Sequence, residues 1–340
     1  MTSFSKRLLG WWGTHGRHDL PWQTDRTPYR VWVSEIMLQQ TQVSTVIGYF
    51  DRFMAAFPTL EALASAPVDD VLALWSGLGY YARARNLHKA AQICMEQHRG
   101  ALPNNPEALQ QLPGIGRSTA NAIVAQAHNR RAVILDGNVK RVLTRYRGID
   151  GWPGKPAVEK TLWKVAEALT PTKRASDYTQ AIMDLGAMVC TRHRPTCGEC
   201  PVANDCRAFG ERKTDQWPTP RPKTQKQRIE MTLAVCLNTN QEILLEKRPA
   251  NGIWGGLWCL PMAEALPEFS NPLPGPELEG MRHELTHRTL EIAFESVWID
   301  GDDDIPPTNQ WRWMDLTDVL ALGLPRPIQK ALAQLATLEN

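Results

Sequence analysis

The sequence lacks a segment that could cross a membrane, because no stretch approaches the roughly 18 consecutive apolar residues that a transmembrane helix needs. We also expect no secretory signal, because residues 1–13 are too short a segment and give way quickly to polar residues. A length of 340 residues, 43% of them hydrophobic and only seven cysteine, excludes a disordered chain and a small disulfide scaffold. We expect a cytoplasmic protein of two domains or one large one, with no membrane partner.

Charge is unevenly distributed, although the whole chain carries a net charge of only +2. Residues 1–229 contain 31 Lys and Arg against 19 Asp and Glu, whereas residues 230–340 contain 7 against 17. A polyanion such as a nucleic acid would therefore meet the first two-thirds of the chain. A random surface bias is the alternative, because +12 over 229 residues is a moderate excess.

Helical periodicity dominates the first part of the chain, from residue 28 to residue 210. It predicts helices at 59–75, 83–98, 106–112, 117–128, 138–147, 157–168 and 177–189. The proline-rich segment 217–223 cannot continue a helix and indicates a linker. We therefore predict an all-α domain over 1–212 and a linker over 213–228.

The last part of the chain has a different pattern, and it predicts a smaller α+β domain over 229–340. Short runs rich in apolar residues indicate strands at 231–238, 242–247, 290–297 and 310–314, followed by a closing helix at 325–338.

Four of the seven cysteines fall within the segment 190–206, in the order C-x6-C-x2-C-x5-C. These are Cys190, Cys197, Cys200 and Cys206. Thiols this close together in an intracellular protein indicate a metal site rather than disulfides. Zinc commonly uses two C-x2-C pairs and only one is present, so an iron–sulfur cluster fits better, in a structural role.

A glycine hairpin at 112–120 joins two predicted helices. Gly114 and Gly116 allow a phosphate to approach closely, and the helix that follows offers free N–H groups to an anion. An ordinary helix–turn–helix connection is the alternative. About twenty residues later, Asp136 either carries chemistry or only caps the next helix.

Together, the hairpin, the aspartate after it and the cysteine spacing resemble the endonuclease III superfamily of DNA glycosylases. Over both domains the chain resembles the MutY family of adenine DNA glycosylases. Longer matches carry this resemblance at 20–23 (LPWQ), 33–42 (VSEIMLQQTQ), 77–81 (GLGYY) and 135–139 (LDGNV). The resemblance implies a base-excision repair enzyme that acts on duplex DNA and removes adenine opposite 8-oxoguanine (A:8-oxoG) or guanine (A:G). It also implies a monomer that carries a 4Fe-4S cluster on the four cysteines.

The resemblance assigns catalytic roles to Glu35 and Asp136. Cleaving the bond between adenine and its sugar requires an acid that protonates the leaving base at N7 and a carboxylate that stabilises an oxocarbenium-like sugar. By the family pattern, Glu35 is the acid and later the base for water, and Asp136 is the electrostatic or transient covalent partner. The apolar neighbours of Glu35 are expected to raise its pKa, although spacing alone would favour an exposed helix glutamate.

Adenine inside a duplex must be extruded before it can be cleaved. In the family pattern, Gln40 and Tyr80 wedge into the base stack, and Gln180 lines the adenine pocket. From residue type alone, Tyr80 could equally be a core aromatic, and Gln180 a buried helix amide.

Ser118 separates two classes of glycosylase. Bifunctional endonuclease III-like glycosylase/lyases carry a lysine at this hairpin position, and its amine forms a Schiff base with the sugar; a hydroxyl group cannot. The sequence therefore predicts a monofunctional enzyme that leaves an abasic site, with Lys140 as a phosphate contact or a solvated helix residue.

The predicted second domain resembles the Nudix-like domain of this family at 244–249 and 252–258. The metal-binding glutamate box of Nudix hydrolases is absent from the sequence, so this domain is expected to recognise a lesion. Thr286 and His287 match the loop that contacts 8-oxoguanine, where Leu285 replaces the usual aromatic residue. A non-catalytic DNA-binding module and a Nudix hydrolase are the remaining alternatives, opposed by the two carboxylates and by the missing box.

Overall fold

The computed structural model describes residues 1–222, 225–267, 269, 272–299 and 310–338, and no helix in these ranges is long and apolar enough to span a membrane. The chain forms two compact units. Unit 1 comprises Met1–Ser65 with Lys89–Lys223, and unit 2 comprises Ala66–His88 with the residues after 223. Residues 66–88 therefore belong with the C-terminal part, although the sequence placed them in a contiguous first domain. The boundaries at 212 and 229 remain a prediction, and Lys223 and Thr224 of the predicted linker lie outside the described residues.

Residues 1–222 are helical. The α-helices are α1 (Ser3–His15), α2 (Pro21–Thr24), α3 (Pro28–Met37), α4 (Val43–Ala56), α5 (Leu60–Ser65), α6 (Val68–Trp75), α7 (Ala82–Gln97), α8 (Pro106–Leu109), α9 (Arg117–His128), α10 (Gly137–Arg147), α11 (Pro156–Leu169), α12 (Ala175–Asp184) and α13 (Arg207–Gly210). A π-helix, Leu185–Val189, extends α12, and two short 3₁₀ turns, Cys197–Glu199 and Ala203–Asp205, lie in the cysteine segment.

Most predicted helices are confirmed within one or two residues, because their ends carry local signals. Asp136 caps α10 by accepting from the backbone N–H of Val139, and Gly148 ends this helix in a left-handed conformation. The prediction of one helix over 59–75 is wrong. Pro67 disfavours helical backbone at the residue before it, so the segment divides into α5 and α6.

The core of unit 1 brings together the helices that carry the predicted site residues. Helix α3 packs against α9, α9 against α12, and α12 against α1 and α10. The buried side chains at these contacts include Phe4, Leu8, Trp12, Val139, Leu143, Tyr178 and Ile182. Glu35, Ser118, Asp136 and Gln180 are thus held on four helices that pack around a common centre.

Unit 2 is built on a seven-stranded mixed sheet. Its strands are β1 (Gln227–Asn238), β2 (Glu242–Lys247), β3 (Trp258–Cys259), β4 (Leu273–Pro274), β5 (Met281–Glu284), β6 (Arg288–Ile299) and β7 (Trp311–Asp315). Strands β1 and β6 run parallel, with Gln227 opposite Arg288, whereas β2 pairs antiparallel with β1, β3 and β7. Helices α14 (Leu316–Val319) and α15 (Arg326–Leu338) follow the sheet.

The four predicted strands and the closing helix are confirmed, and β3, β4 and β5 are additional. The first two of these contain only two residues each, too few for an alternating pattern to be visible. The predicted fold class, an all-α part followed by an α+β part, is confirmed.

Candidate active site

Unit 1 contains a cavity of about 900 Å³ that brings together five of the predicted site residues. These are Glu35, Gln40, Ser118, Asp136 and Gln180. The cavity has room for a nucleobase with its sugar, and both predicted catalytic carboxylates face it.

Glu35 lies in the last turns of α3 between buried neighbours, and its carboxylate accepts a hydrogen bond from Nε2 of Gln126 at 2.8 Å. The pKa of Glu35 is raised to about 7, chiefly by burial and also by the charge of Asp136, while the hydrogen bond from the Gln126 amide opposes the rise. At neutral pH a large fraction of Glu35 is therefore protonated and can donate a proton.

Asp136 stands at the N-terminus of α10, and its Oδ1 accepts from the Val139 backbone N–H at 2.7 Å. The pKa of Asp136 is raised above its ordinary value, chiefly by burial, although this hydrogen bond and the charge of Arg141 oppose the rise. These two contacts favour the ionised form of Asp136 and act against the effect of its burial.

Gln180 is only 3% exposed, and its Nε2 donates to Oδ1 of Asp184 at 2.8 Å. Asp184 is fully buried and also accepts from Trp12 Nε1 at 3.0 Å and from the Arg17 side chain at 2.5 and 2.8 Å. Because the amide nitrogen of Gln180 is engaged by Asp184, its carbonyl oxygen remains to accept a hydrogen bond in the cavity.

The hydroxyl oxygen of Ser118 accepts from the Leu135 backbone N–H at 3.0 Å and so supports the segment that leads to Asp136. The hairpin glycines lie just before it in the chain. Gly114 has a φ of +79°, and Gly116 precedes the first turn of α9, with open space where a Cβ would stand. The backbone N–H groups of that turn are therefore accessible to an anion.

Gln40 and Tyr80, the two predicted wedge residues, both adopt left-handed backbone, with φ of +61° and +51°. Non-glycine residues are rare in this conformation and are enriched at functional sites. Gln40 borders the cavity of unit 1. Tyr80 belongs to unit 2, where its exposed hydroxyl lies 3.3 Å from the hydroxyl of Thr286.

Thr286 and His287 form the exposed turn between β5 and β6, closed by a hydrogen bond from Leu285 N–H to the Arg288 carbonyl at 2.8 Å. The carbonyl of His287 accepts from the Gln227 N–H at 3.2 Å, so the backbone of the turn is fixed. Both polar side chains remain accessible.

The four cysteines of the segment 190–206 border one small cavity in unit 1. The pKa of Cys200 is raised to about 11, chiefly by burial and in part by the other three thiols. Within the described ranges, no three Cys, His, Asp or Glu side chains are arranged to hold a single metal ion. In an iron–sulfur cubane each thiolate binds its own iron, so the four sulfurs surround a shared volume instead of converging on one point. The residues fit a cluster.

Several residues of the site were not identified from the sequence. Gln126 contacts Glu35 across 91 positions, and Arg17 reaches Asp184 across 167. Arg141 donates to the Cys190 and Gly186 carbonyls, and so joins the cysteine segment to the start of α10. Asp184 alone had a local signal, because it follows Gln180 by four residues and shares its helix face.

Two family models match the chain. Residues 33–168 match the HhH-GPD superfamily of base excision DNA repair proteins, and residues 232–334 match the NUDIX domain. Among solved structures, a thermostable thymine-DNA glycosylase shares 28% identity with a TM-score of 0.55, over 61% of this chain and 95% of its own. An endonuclease III–DNA complex, at 23% identity and a TM-score of 0.53 over 62% and 94% of the two chains, shares the fold.

Relatives at the level of sequence extend over both units. The adenine DNA glycosylase of Buchnera aphidicola subsp. Baizongia pistaciae is 37% identical over 98% of this chain and 96% of its own length. The Homo sapiens adenine DNA glycosylase is 34% identical over 92% of this chain and 70% of its own length. The chain therefore belongs to the adenine DNA glycosylase family, base-excision repair enzymes that cleave the N-glycosidic bond of adenine.

Proposed function

We propose that this enzyme removes adenine mispaired with 8-oxoguanine or guanine in duplex DNA, and that it does so without cutting the strand. The observation that carries the catalytic part is the pair of carboxylates on one cavity, with the pKa of Glu35 raised to about 7. The protonated Glu35 donates to N7 of the extruded adenine, and the ionised Asp136 stabilises the positive charge on the sugar. Once the base has left, the Glu35 carboxylate accepts a proton from the attacking water.

Adenine is selected by Gln180. Its carbonyl oxygen, fixed by the Gln180–Asp184 hydrogen bond, accepts from the exocyclic amino group of adenine. A base with a carbonyl at that position would place two acceptors together and leave the buried Gln180 carbonyl oxygen without a donor, which disfavours binding.

Strand cleavage by a lyase requires an amine that can attack the sugar, and none is placed to do so among the described residues of the cavity. Among the described residues that line it there is no lysine, and Ser118 stands in the hairpin. Lys140, the nearest lysine after Asp136 in the sequence, pairs with Glu159 at 2.8 Å. Lys140 is thus held by this ion pair and is not among the residues that line the cavity, so its amine is not placed to form a Schiff base there.

Duplex DNA is bound by several parts of the chain. The N–H groups after Gly114 and Gly116 take a backbone phosphate, and Gln40 and Tyr80 insert into the stack from which adenine is extruded. In unit 2, Thr286 and His287 recognise 8-oxoguanine through hydrogen bonds that guanine cannot match. One chain supplies every group named, so the proposed active form is a monomer, acting in the reducing cytoplasm where its thiols stay available.

The proposed cofactor is a 4Fe-4S cluster held by the four cysteines of the segment 190–206. The cluster would organise this segment and, through the contacts of Arg141, the start of α10. It takes no part in the glycosidic step derived above.

A duplex carrying adenine opposite 8-oxoguanine tests the function directly. We expect excision of adenine, with strand breaks only after treatment with alkali, because the enzyme leaves an intact abasic site. Borohydride added during the reaction should trap little covalent adduct. Strand breaks before alkali, or a high yield of trapped adduct, would show a lyase instead.

The cluster predicts four iron atoms per chain and a brown protein, since a cubane holds one iron per thiolate. Iron and zinc assays with a visible absorption spectrum measure this. Cys200→Ser should lower the iron content, whereas Cys94→Ser, which changes a buried cysteine outside the segment, should retain it. A colourless protein with stoichiometric zinc would contradict the proposal.

The exposed turn of unit 2 that carries Thr286 and His287 is predicted to determine the preference for 8-oxoguanine over guanine. Thr286→Ala combined with His287→Ala should reduce the preference for A:8-oxoG over A:G, because each lost hydrogen bond removes about 0.5–1.5 kcal/mol of discrimination. Excision rates on the two duplexes, compared at one salt concentration, measure the effect. Thr317→Ala changes an exposed hydroxyl elsewhere in unit 2 and serves as the control. An unchanged preference in the double variant would remove the turn from recognition.

A further inference from the structure

The loop that carries Tyr80 has an unusual backbone. Gly77 and Gly79 have φ of +93° and +72°, and Tyr80 itself has +51° although it bears a large side chain. The ring remains 45% exposed. A tyrosine stays in this conformation only where its surroundings hold it, so the neighbours of the loop decide how the wedge is presented.

Arg83, in the first turn of α7, provides these contacts. Its Nη2 donates to the carbonyls of Gly79 at 3.1 Å and Leu78 at 3.4 Å, and its backbone N–H donates to the Tyr80 carbonyl at 2.8 Å. The guanidinium carbon lies 5.3 Å from the centre of the Tyr80 ring and 5.5 Å from that of Trp75. One side chain thus holds both the backbone of the loop and the face of its aromatic ring.

The guanidinium is suited to both contacts and lies well inside the protein. Arg83 is only 9% exposed, and burial lowers its pKa to about 10, so it keeps its charge at neutral pH. A planar group with several N–H donors reaches two carbonyls while its face stays against an aromatic ring. A lysine ammonium at this position would keep the charge but not this combination.

The other end of the Tyr80 ring is fixed as well. Its hydroxyl lies 3.3 Å from the Thr286 hydroxyl, and all of these residues belong to unit 2. The ring therefore connects Arg83 to the turn that the proposed function assigns to 8-oxoguanine.

We propose that Arg83 is a positioning residue for lesion recognition: it holds the loop at 77–80 so that the Tyr80 ring enters the duplex and its hydroxyl stays beside Thr286. The inference rests on the proposed function. Arg83 does not touch the DNA or the adenine, and it acts through Tyr80.

The test compares Arg83→Met and Arg83→Lys with Arg85→Met. Arg85 lies on the same helix and also donates to backbone carbonyls, those of Gly255 and Ala250, so it controls for the loss of a guanidinium in α7. The probe is a duplex with a non-hydrolysable adenosine analogue opposite 8-oxoguanine and 2-aminopurine next to the lesion. Fluorescence of 2-aminopurine rises when a wedge unstacks it.

Both Arg83 variants should show a smaller rise in fluorescence and about three- to ten-fold weaker binding, as expected for the loss of one or two hydrogen bonds. Single-turnover excision at saturating enzyme on the hydrolysable duplex should fall less than binding does. Arg85→Met should match the wild type in all three measurements, and thermal unfolding reports the loss of stability in each variant.

The Arg83→Met substitution made in a Tyr80→Ala background completes the test. If Arg83 acts through Tyr80, Arg83→Met adds little to the loss that Tyr80→Ala already causes. Equal losses in the two backgrounds, or a fluorescence rise in Arg83→Met equal to that in Arg85→Met, would overturn the inference. A wild-type enzyme that failed to excise adenine from the hydrolysable duplex would contradict the proposed function instead.

Discussion

Replacing Glu35 with glutamine is expected to abolish adenine excision while leaving duplex binding nearly unchanged. The amide keeps the shape of the side chain and can still accept the hydrogen bond from Gln126, but it cannot give a proton to the leaving base. General acid catalysis typically contributes about a hundred- to ten-thousand-fold to a rate, so single-turnover excision should fall by at least two orders of magnitude. Near-normal turnover would show that Glu35 is not the acid.

The pH dependence of the wild type gives a second measurement of the same assignment. Because Glu35 must be protonated and its pKa is raised to about 7, single-turnover excision should fall as the pH rises through about 7. Gln126→Leu removes a hydrogen bond that stabilises the carboxylate, so the decline should move to higher pH. A decline that stayed at the same pH in Gln126→Leu would assign the titration to another group.

Stability separates a chemical loss from a folding defect. The pKa of Glu35 is higher in the folded protein, about 7, than its ordinary value of 4.5, so the folded state binds more protons and the free energy of unfolding falls as the pH rises between these values. Glutamine does not ionise, so Glu35→Gln removes this loss of stability at higher pH. At pH 8 the free energy of unfolding of the variant should equal or exceed that of the wild type, by up to about 3 kcal/mol. At pH 4 the two should be nearly equal. Denaturant unfolding at the two pH values measures the difference.

Local signals in the sequence account for the parts of the fold that were predicted well. Helix α10 begins at a capping aspartate and ends at Gly148, and both signals are contained in a few neighbouring residues. The spacing of the four cysteines is equally local, and all four border one cavity, while the cluster that they would hold stays a prediction. Strand β2 matched its predicted segment at both ends, Glu242 and Lys247.

Contacts between distant residues could not be predicted in this way. The hydrogen bond from Gln126 that tunes Glu35, and the association of residues 66–88 with the C-terminal unit, depend on packing between segments that carry no mark of each other. The resemblance supplied Tyr80 as a wedge, but it gave no indication that Arg83 holds its loop. Residues that position catalytic and binding groups are therefore where the structure adds most.

Asp136→Asn is expected to reduce excision by about two to three orders of magnitude, the usual effect of removing one preorganised electrostatic contact from a transition state. Asparagine caps helices as well as aspartate does, so α10 should keep its stability and the protein its fold. The change thus removes the negative charge and little else. Asp315→Asn, which alters the aspartate that caps α14, is the matched control and should leave excision unchanged.

The same variant also tests the coupling of the two carboxylates. The charge of Asp136 is one of the causes that raise the pKa of Glu35, after burial. Asp136→Asn should therefore lower the pKa of Glu35, and the residual excision of the variant should decline at a lower pH than that of the wild type. Single-turnover rates between pH 5 and pH 9 measure this shift, with thermal unfolding as the check on α10. A fully active variant with unchanged stability would leave Asp136 as a helix cap alone. If the variant were slow but its pH profile coincided with that of the wild type, Asp136 would keep its proposed role at the sugar. The pKa of Glu35 would then be set by burial and not by the charge of Asp136.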